Sequence, residues 1–221
     1  MTGKLITYPQ VFTSNLGGPN LSAFGDPITS DSFNRGGAPG TNLALMSSMT
    51  NVYKGGTPKQ WGGTNAANII TQDDQLRIGA NAVSSLCVDA GKPDMMVSFR
   101  MVQGPASPAG LNSIFDLRKA SAATGDCYRL AFYSAANNTF IMRPYRRVSG
   151  AGVIMGDEKV VNNGSQIKVN LKGSSFKIYV DDVLMYDLTD TNVPAGNFTG
   201  FATSSNNQLW IVSEFVVRDA V

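Results

Sequence analysis

Chemistry in this sequence has to be sought among carboxylates, because the chain carries 16 acidic residues and no histidine. Without an imidazole the commonest general base is missing, and with it every Ser–His and Cys–His nucleophile. Glycosidic hydrolysis can run on two carboxylates alone, provided they face one another about 5–9.5 Å apart. Along a strand this calls for acidic residues at alternate positions, since i and i+2 point the same way roughly 6.5–7 Å apart. No Asp or Glu here stands two positions from another. The near misses, Asp73–Asp74, Asp157–Glu158 and Asp181–Asp182, are adjacent and would point to opposite faces. Glu158 and Glu214 are the only glutamates. Zinc lacks a ligand set, since the two cysteines, Cys87 and Cys127, are distant in sequence. Each lies in a strand-like run and reads as a reduced, buried small hydrophobe, with a single bridge between them as the alternative.

Sugar recognition asks for something else: aromatic faces beside hydrogen-bonding groups. Trp61 sits in the loop-rich run KQWGG, while Tyr133, Arg143 and Tyr145 fall on adjacent strand-like runs that can share a sheet face. These four are the candidate carbohydrate-binding residues. For each aromatic the competing reading is ordinary core packing.

The elements that must position them are strands. From Asn163 to Val217 the chain reads as one uninterrupted antiparallel meander of period-two runs between turn clusters. Ile167, Val169 and Leu171 should face inward, with Lys168, Asn170 and Lys172 outward; Phe176, Ile178 and Val180 repeat the pattern. Tight turns are expected at Gly173–Ser174 and at Asp181–Asp182. Earlier runs such as DMMVSFRMVQ, SIFDLRK, CYRLAFYS and NTFIMRPYRRV bring the count near a dozen, at spacings typical of an all-β sandwich. DSFNR reads as a first strand, residues 41–69 as loops with a helical turn at LALMSSM, and GVIMG as ambiguous.

At 221 residues the chain suits one sandwich with a sizeable core. Residues 1–30, broken by Gly and Pro, read as an extended N-terminal arm, and 31–221 as the domain. A net charge of +2, with Arg143, Arg146 and Arg147 the densest basic group, gives no nucleic-acid footprint. No run is long and apolar enough for membrane insertion, and the N-terminus lacks the apolar core of a signal peptide.

Two stretches carry a resemblance. The opening DSFNR followed by Gly36, and the closing string SFKIYVDDVLMYDLTD, GNFTGFATS and WIVSEFVV, resemble concanavalin A-like lectin/glucanase domains, the jelly-roll sandwiches that include laminin-G-like modules. The resemblance spans residues 31–219 and implies an all-β antiparallel jelly roll. Relatives in that superfamily often bind calcium through Asp, Asn and carbonyl oxygens. This makes Asp187 and Asp190, or Asp73 and Asp74, weak calcium candidates against their ordinary use in turns. Gln166–Ile167–Lys168 is superficially similar to a lyase strand, but lacks the histidine.

A chain opening on such an arm also resembles bacteriophage structural proteins. Taken with the missing acidic motif, the resulting expectation is a non-enzymatic virion component located in the virion. Its partners would be copies of itself, other virion proteins and a cell-surface glycan. The alternatives are a free carbohydrate-binding or adhesion module and a polysaccharide-degrading enzyme. Fold by itself does not choose among them.

Overall fold

The computed structural model describes residues 26–33, 43–44, 59–64, 69–78, 84–105, 113–122, 125–136, 138–192, 195–203 and 210–221. Sixteen strands are described. They begin with β1 (Pro27–Asp31), β2 (Leu43–Ala44), β3 (Ile70–Gln72), β4 (Gln75–Ile78), β5 (Ser84–Asp89) and β6 (Met95–Gln103). Next come β7 (Ser113–Lys119), β8 (Cys127–Ser134), β9 (Thr139–Val148), β10 (Ala151–Ile154) and β11 (Lys159–Asn162). The last are β12 (Gln166–Lys172), β13 (Ser175–Val180), β14 (Val183–Thr189), β15 (Phe198–Thr203) and β16 (Trp210–Asp219). Among the described residues there is no helix, hence none long and apolar enough to cross a membrane.

The strands form two antiparallel sheets. One has nine strands, in the order β14-β13-β12-β6-β16-β4-β3-β2, with β1 also on β16. The other has seven, in the order β10-β9-β8-β7-β15-β5, with β11 also on β9. Two long strands therefore each serve two partners along one edge. On β16, Trp210–Val212 pair with β4 and Phe215–Arg218 with β1. Glu214, at φ 58°, lies where the register slips between them.

The predicted inward facing holds, while Lys168, expected outward, is buried. Ile167, Val169, Leu171, Phe176 and Ile178 are fully buried between the sheets, and Val180 nearly so. Both tight turns also hold. Gly173 (φ 55°) carries the first, and Asp181 and Asp182 (φ 48° and 68°) form the second, a two-residue link of the kind that matches strand twist. Asp73 and Asp74 build a third such turn at φ 52° and 59°. Two of the three adjacent acidic pairs thus serve as hairpin corners. The core is aromatic: Phe99 lies 4.6 Å from Phe115, and Phe115 lies 5.0 Å from Phe201, ring centre to ring centre.

Several expectations need correction. The meander is interrupted, because β15 belongs to the seven-stranded sheet and β16 returns to pair with β6, not β14. Gly196 sits at that crossing, where a Cβ would come within 2.1 Å of the Lys119 carbonyl oxygen, so only glycine fits. The first strand begins earlier than DSFNR, at Pro27–Asp31, with all but Asp31 in the stretch assigned to the arm. Residues 1–25 of that arm, and the helical turn expected at LALMSSM beyond Ala44, lie outside the described residues. The strands Ile70–Gln72 and Lys159–Asn162 were not anticipated, and GVIMG overlaps β10.

Candidate functional site

On the seven-stranded sheet the side chains that do not enter the core form an outer face. Register fixes its rows. Gly200 pairs with Asp116, Asp116 with Arg129, Arg129 with Tyr145 and Tyr145 with Ile154. One row along, Ala202 pairs with Ile114, Ile114 with Ala131 and Ala131 with Arg143. Tyr133 follows, opposite Ile141, which itself pairs with Val160.

This face has a closed half and an open half. In the closed half Asp116, Cys127 and Ala131 are fully buried, and Ile114, Lys119 and Cys87 nearly so. The Asp116 carboxylate accepts from Arg129 Nε at 2.8 Å and Nη2 at 3.2 Å, with Lys119 Nζ 3.7 Å away. The Cys127 thiol points at the same carboxylate over 3.6 Å. Burial opposes the charge on Arg129, yet the adjoining carboxylate outweighs it and raises the guanidinium pKa. Both cysteines are free, and burial pushes each thiol up to about 12, with Asp116 adding to the shift at Cys127 and Lys119 opposing it at Cys87.

In the open half, along β8, β9, β10 and β11, polar and apolar groups reach solvent together. Glu158, from the connection between β10 and β11, has a side chain 48% exposed. Its Oε1 accepts from Arg143 Nη1 at 3.0 Å and lies 3.3 Å from the Tyr133 hydroxyl. The Arg143 guanidinium stands 5.8 Å over the centre of the Tyr145 ring. Burial raises the Tyr133 phenol pKa well above its ordinary value, and the neighbouring Tyr145 hydroxyl adds to the rise, so Tyr133 is a neutral donor. Ile154 and Val160 form an exposed apolar rim on the same side.

Sequence reasoning placed Tyr133, Arg143 and Tyr145 together, and the register does bring them onto one face. Tyr145 is nearly buried beneath Arg143, so its role there is to support the guanidinium. Trp61 goes elsewhere. Gly62 bridges to Cys87, which turns Trp61 into the core against Phe33, Phe201 and Phe215. Its indole N–H donates to the buried Asp31 carboxylate at 2.8 Å, so it is no sugar platform.

Two of the calcium candidates, Asp187 and Asp190, are paired with cations of the chain itself, and Asp73 and Asp74 form the corner between β3 and β4. Asp187 pairs with Lys177 at 3.3 Å, and Asp190 accepts from Arg146 at 2.5 Å and from the Asn192 amide at 3.0 Å. Among the described residues no three His, Cys, Asp or Glu side chains are placed to hold a metal ion. Sequence reasoning missed Glu158 as a member of the site and the Asp116 cluster altogether. A lone carboxylate between Phe115 and Leu117, followed by Arg118 and Lys119, was the available signal.

No protein-family model matches the chain, and no curated protein matches it in sequence. Solved structures do match. LamAcat from Zobellia galactanivorans superposes with a TM-score of 0.54 over 90% of this chain and 99% of its own, at 13% identity. A LamA variant from the same organism, in complex with laminaritriose and laminaritetraose, gives 0.53 over 88% of this chain and 99% of its own, at 14% identity. A prokaryotic beta-1,3-1,4-glucanase (lichenase) from a mouse hindgut metagenome gives 0.50 over 73% and 93%, at 15% identity.

The fold is a concanavalin A-like jelly-roll β-sandwich. At these identities the likeness establishes the fold alone. It nonetheless overturns the expectation of a non-enzymatic virion component, because the structures that share this sandwich include a glucanase and a protein solved with bound oligosaccharides. The inference from arm and missing motif to virion failed for a physical reason. An N-terminal arm can precede any sandwich, and carboxylates can meet across strands and loops without alternating along one strand.

Proposed function

We propose that this chain is a carbohydrate-recognising jelly roll whose glycan lies along the open half of the seven-stranded sheet. One observation carries the reading: Tyr133, Arg143 and Glu158 are tied into one polar cluster on an exposed sheet face, beside the apolar rim of Ile154 and Val160. A pyranose presents the complementary pattern, hydroxyls around its edge and C–H groups on its faces. The phenol and guanidinium donate to those hydroxyls, the carboxylate accepts from them, and Ile154 and Val160 meet the C–H groups. The likeness in fold to a protein solved with bound oligosaccharides supports the same reading.

A glycan array with follow-up calorimetry tests it. Micromolar binding to a defined glycan, weakened about tenfold or more by Tyr133→Phe or Arg143→Gln, is the expected result. Trp61→Phe, a core change, should leave the affinity of the folded protein unaltered. Binding that is indifferent to Tyr133 and Arg143 would remove the site.

A second reading, cleavage of the bound polysaccharide, is favoured by Glu158, a partly exposed carboxylate held between a guanidinium and a neutral phenol. Turnover on a broad polysaccharide panel, abolished by Glu158→Gln with binding retained, would establish it.

A further inference from the structure

We infer that the glycan taken up on this face is anionic, a sugar bearing carboxylate or sulfate groups; the inference rests on the glycan reading proposed above. It follows from how unevenly three guanidinium groups are compensated. Arg143 and Arg147 flank Tyr145 on β9, and Arg129 lies opposite Tyr145 on β8, so three cations surround one ring position. Directly opposed side chains on paired strands are about 5 Å apart and diagonal ones about 7–8 Å, close enough for their charges to be felt.

Arg129 is satisfied by a two-point contact with the buried Asp116. Arg143 is half satisfied: Nη1 reaches Glu158, while its buried Nε has no partner. Arg147 makes no hydrogen bond or ion pair with any described residue. Its cross-strand neighbours cannot supply one, since Cys127 presents a thiol on one side and Gly152 presents nothing on the other. The acid next to Cys127 in the chain, Asp126, has its carboxylate turned to the Ser149 amide at 2.7 Å.

A cation left without a counter-charge of its own beside other cations is unfavourable, and a fork of N–H donors matches the planar carboxylate and the oxygens of a sulfate. Gly152 adds access, because a Cβ built there would meet only the Tyr145 ring at 3.9 Å. An acidic oligosaccharide lying along β9 past Ile154, over the roughly 20 Å that six strand residues span, therefore reaches Arg147 with a charged unit while the hydroxyls of other units meet Tyr133 and Glu158. The geometry treats a carboxylate and a sulfate alike, so the two are separated by experiment.

The full chain should be titrated with polygalacturonate and its carboxyl-reduced form, and with a sulfated galactan and its desulfated form. The expected result is binding about tenfold tighter to one acidic polymer than to its neutralised counterpart, with the preference shrinking between 50 and 500 mM salt. Which acidic polymer wins identifies the anion. Arg147→Gln should abolish the preference, and Arg147→Lys should keep part of it. Lys172→Gln, which removes an exposed cation from the nine-stranded sheet, should change nothing.

Equal binding of acidic and neutralised polymers, or a preference untouched by Arg147→Gln, would overturn the anionic assignment while leaving glycan recognition standing. A loss with Lys172→Gln as large as with Arg147→Gln would overturn it too, exposing non-specific charge attraction. No binding to any of the four polymers or to arrayed glycans would sink the glycan reading and this inference together.

Discussion

The two halves of the outer face on the seven-stranded sheet are built from similar residues and do different work. Each centres on one carboxylate and its cations: Asp116 with Arg129 and Lys119 in the closed half, Glu158 with Arg143 in the open half. The difference is solvent. Asp116 is fully buried, so its charge is tolerable only because two cations and a thiol enclose it. Glu158 keeps much of its hydration and gives up little by exchanging a water, or a neighbour, for a sugar hydroxyl. Charged residues on a sheet face therefore do not mark a site by themselves; only those still in contact with water are free to meet a ligand.

The comparison breaks first at Asp116. Substituting Asp116→Ala strands the buried Lys119 and the half-buried Arg129, and the expected loss is about 3–5 kcal/mol of unfolding free energy in a urea titration. A loss within experimental error would mean that the closed half is wetter than its burial indicates.

The thiols provide a smaller effect with a definite sign. Both Cys87 and Cys127 are held at about 12 in the folded protein against an ordinary value of 9. A raised folded value favours the protonated form, so this contribution is complete below pH 9 and is lost as the pH climbs from 9 towards 12. Stability measured over that window should fall more steeply for the native chain than for a Cys87→Ala, Cys127→Ala variant. Native protein at pH 8 should also resist alkylation that unfolded protein accepts. Prompt alkylation of the native chain would show the closed half to be open.

The smallest structural effect belongs to the open half. Glu158→Gln removes one end of an exposed ion pair, and its denaturation midpoint should be indistinguishable from that of the native chain while glycan binding or turnover drops. A stability loss approaching that of Asp116→Ala would erase the distinction between the halves.

Local patterns were legible in the sequence wherever a single strand carried the information. The inward run of Ile167, Val169 and Leu171, and the corner at Asp181–Asp182, follow from side-chain alternation and turn chemistry within a few residues. The gathering of Tyr133, Arg143 and Tyr145 was also readable, since β8 and β9 are consecutive and a short connector sets their register. Glu158 could not be placed the same way. It sits in a connection, and only the folding of β10 and β11 against the same edge of β9 brings it back over Arg143. Trp61 was left open between core packing and a sugar platform because a loop-like run of Gly and Trp says nothing about which neighbour it bridges; the Gly62–Cys87 bridge decides that.

By itself, then, the sequence determined an all-β sandwich, its hairpin corners, its inward faces and the absence of imidazole chemistry. These are consequences of period-two alternation, turn propensity and composition, all local quantities. Tertiary structure decided the rest: that β15 crosses to the other sheet beside Gly196, that Trp61 and Asp31 share the core, and that Asp116 is sealed while Glu158 stays wet. Each of these depends on which distant strands pair and on what then covers a side chain. Burial, which separates a structural carboxylate from an available one, is a property of the assembled sheets and not of any segment of the chain.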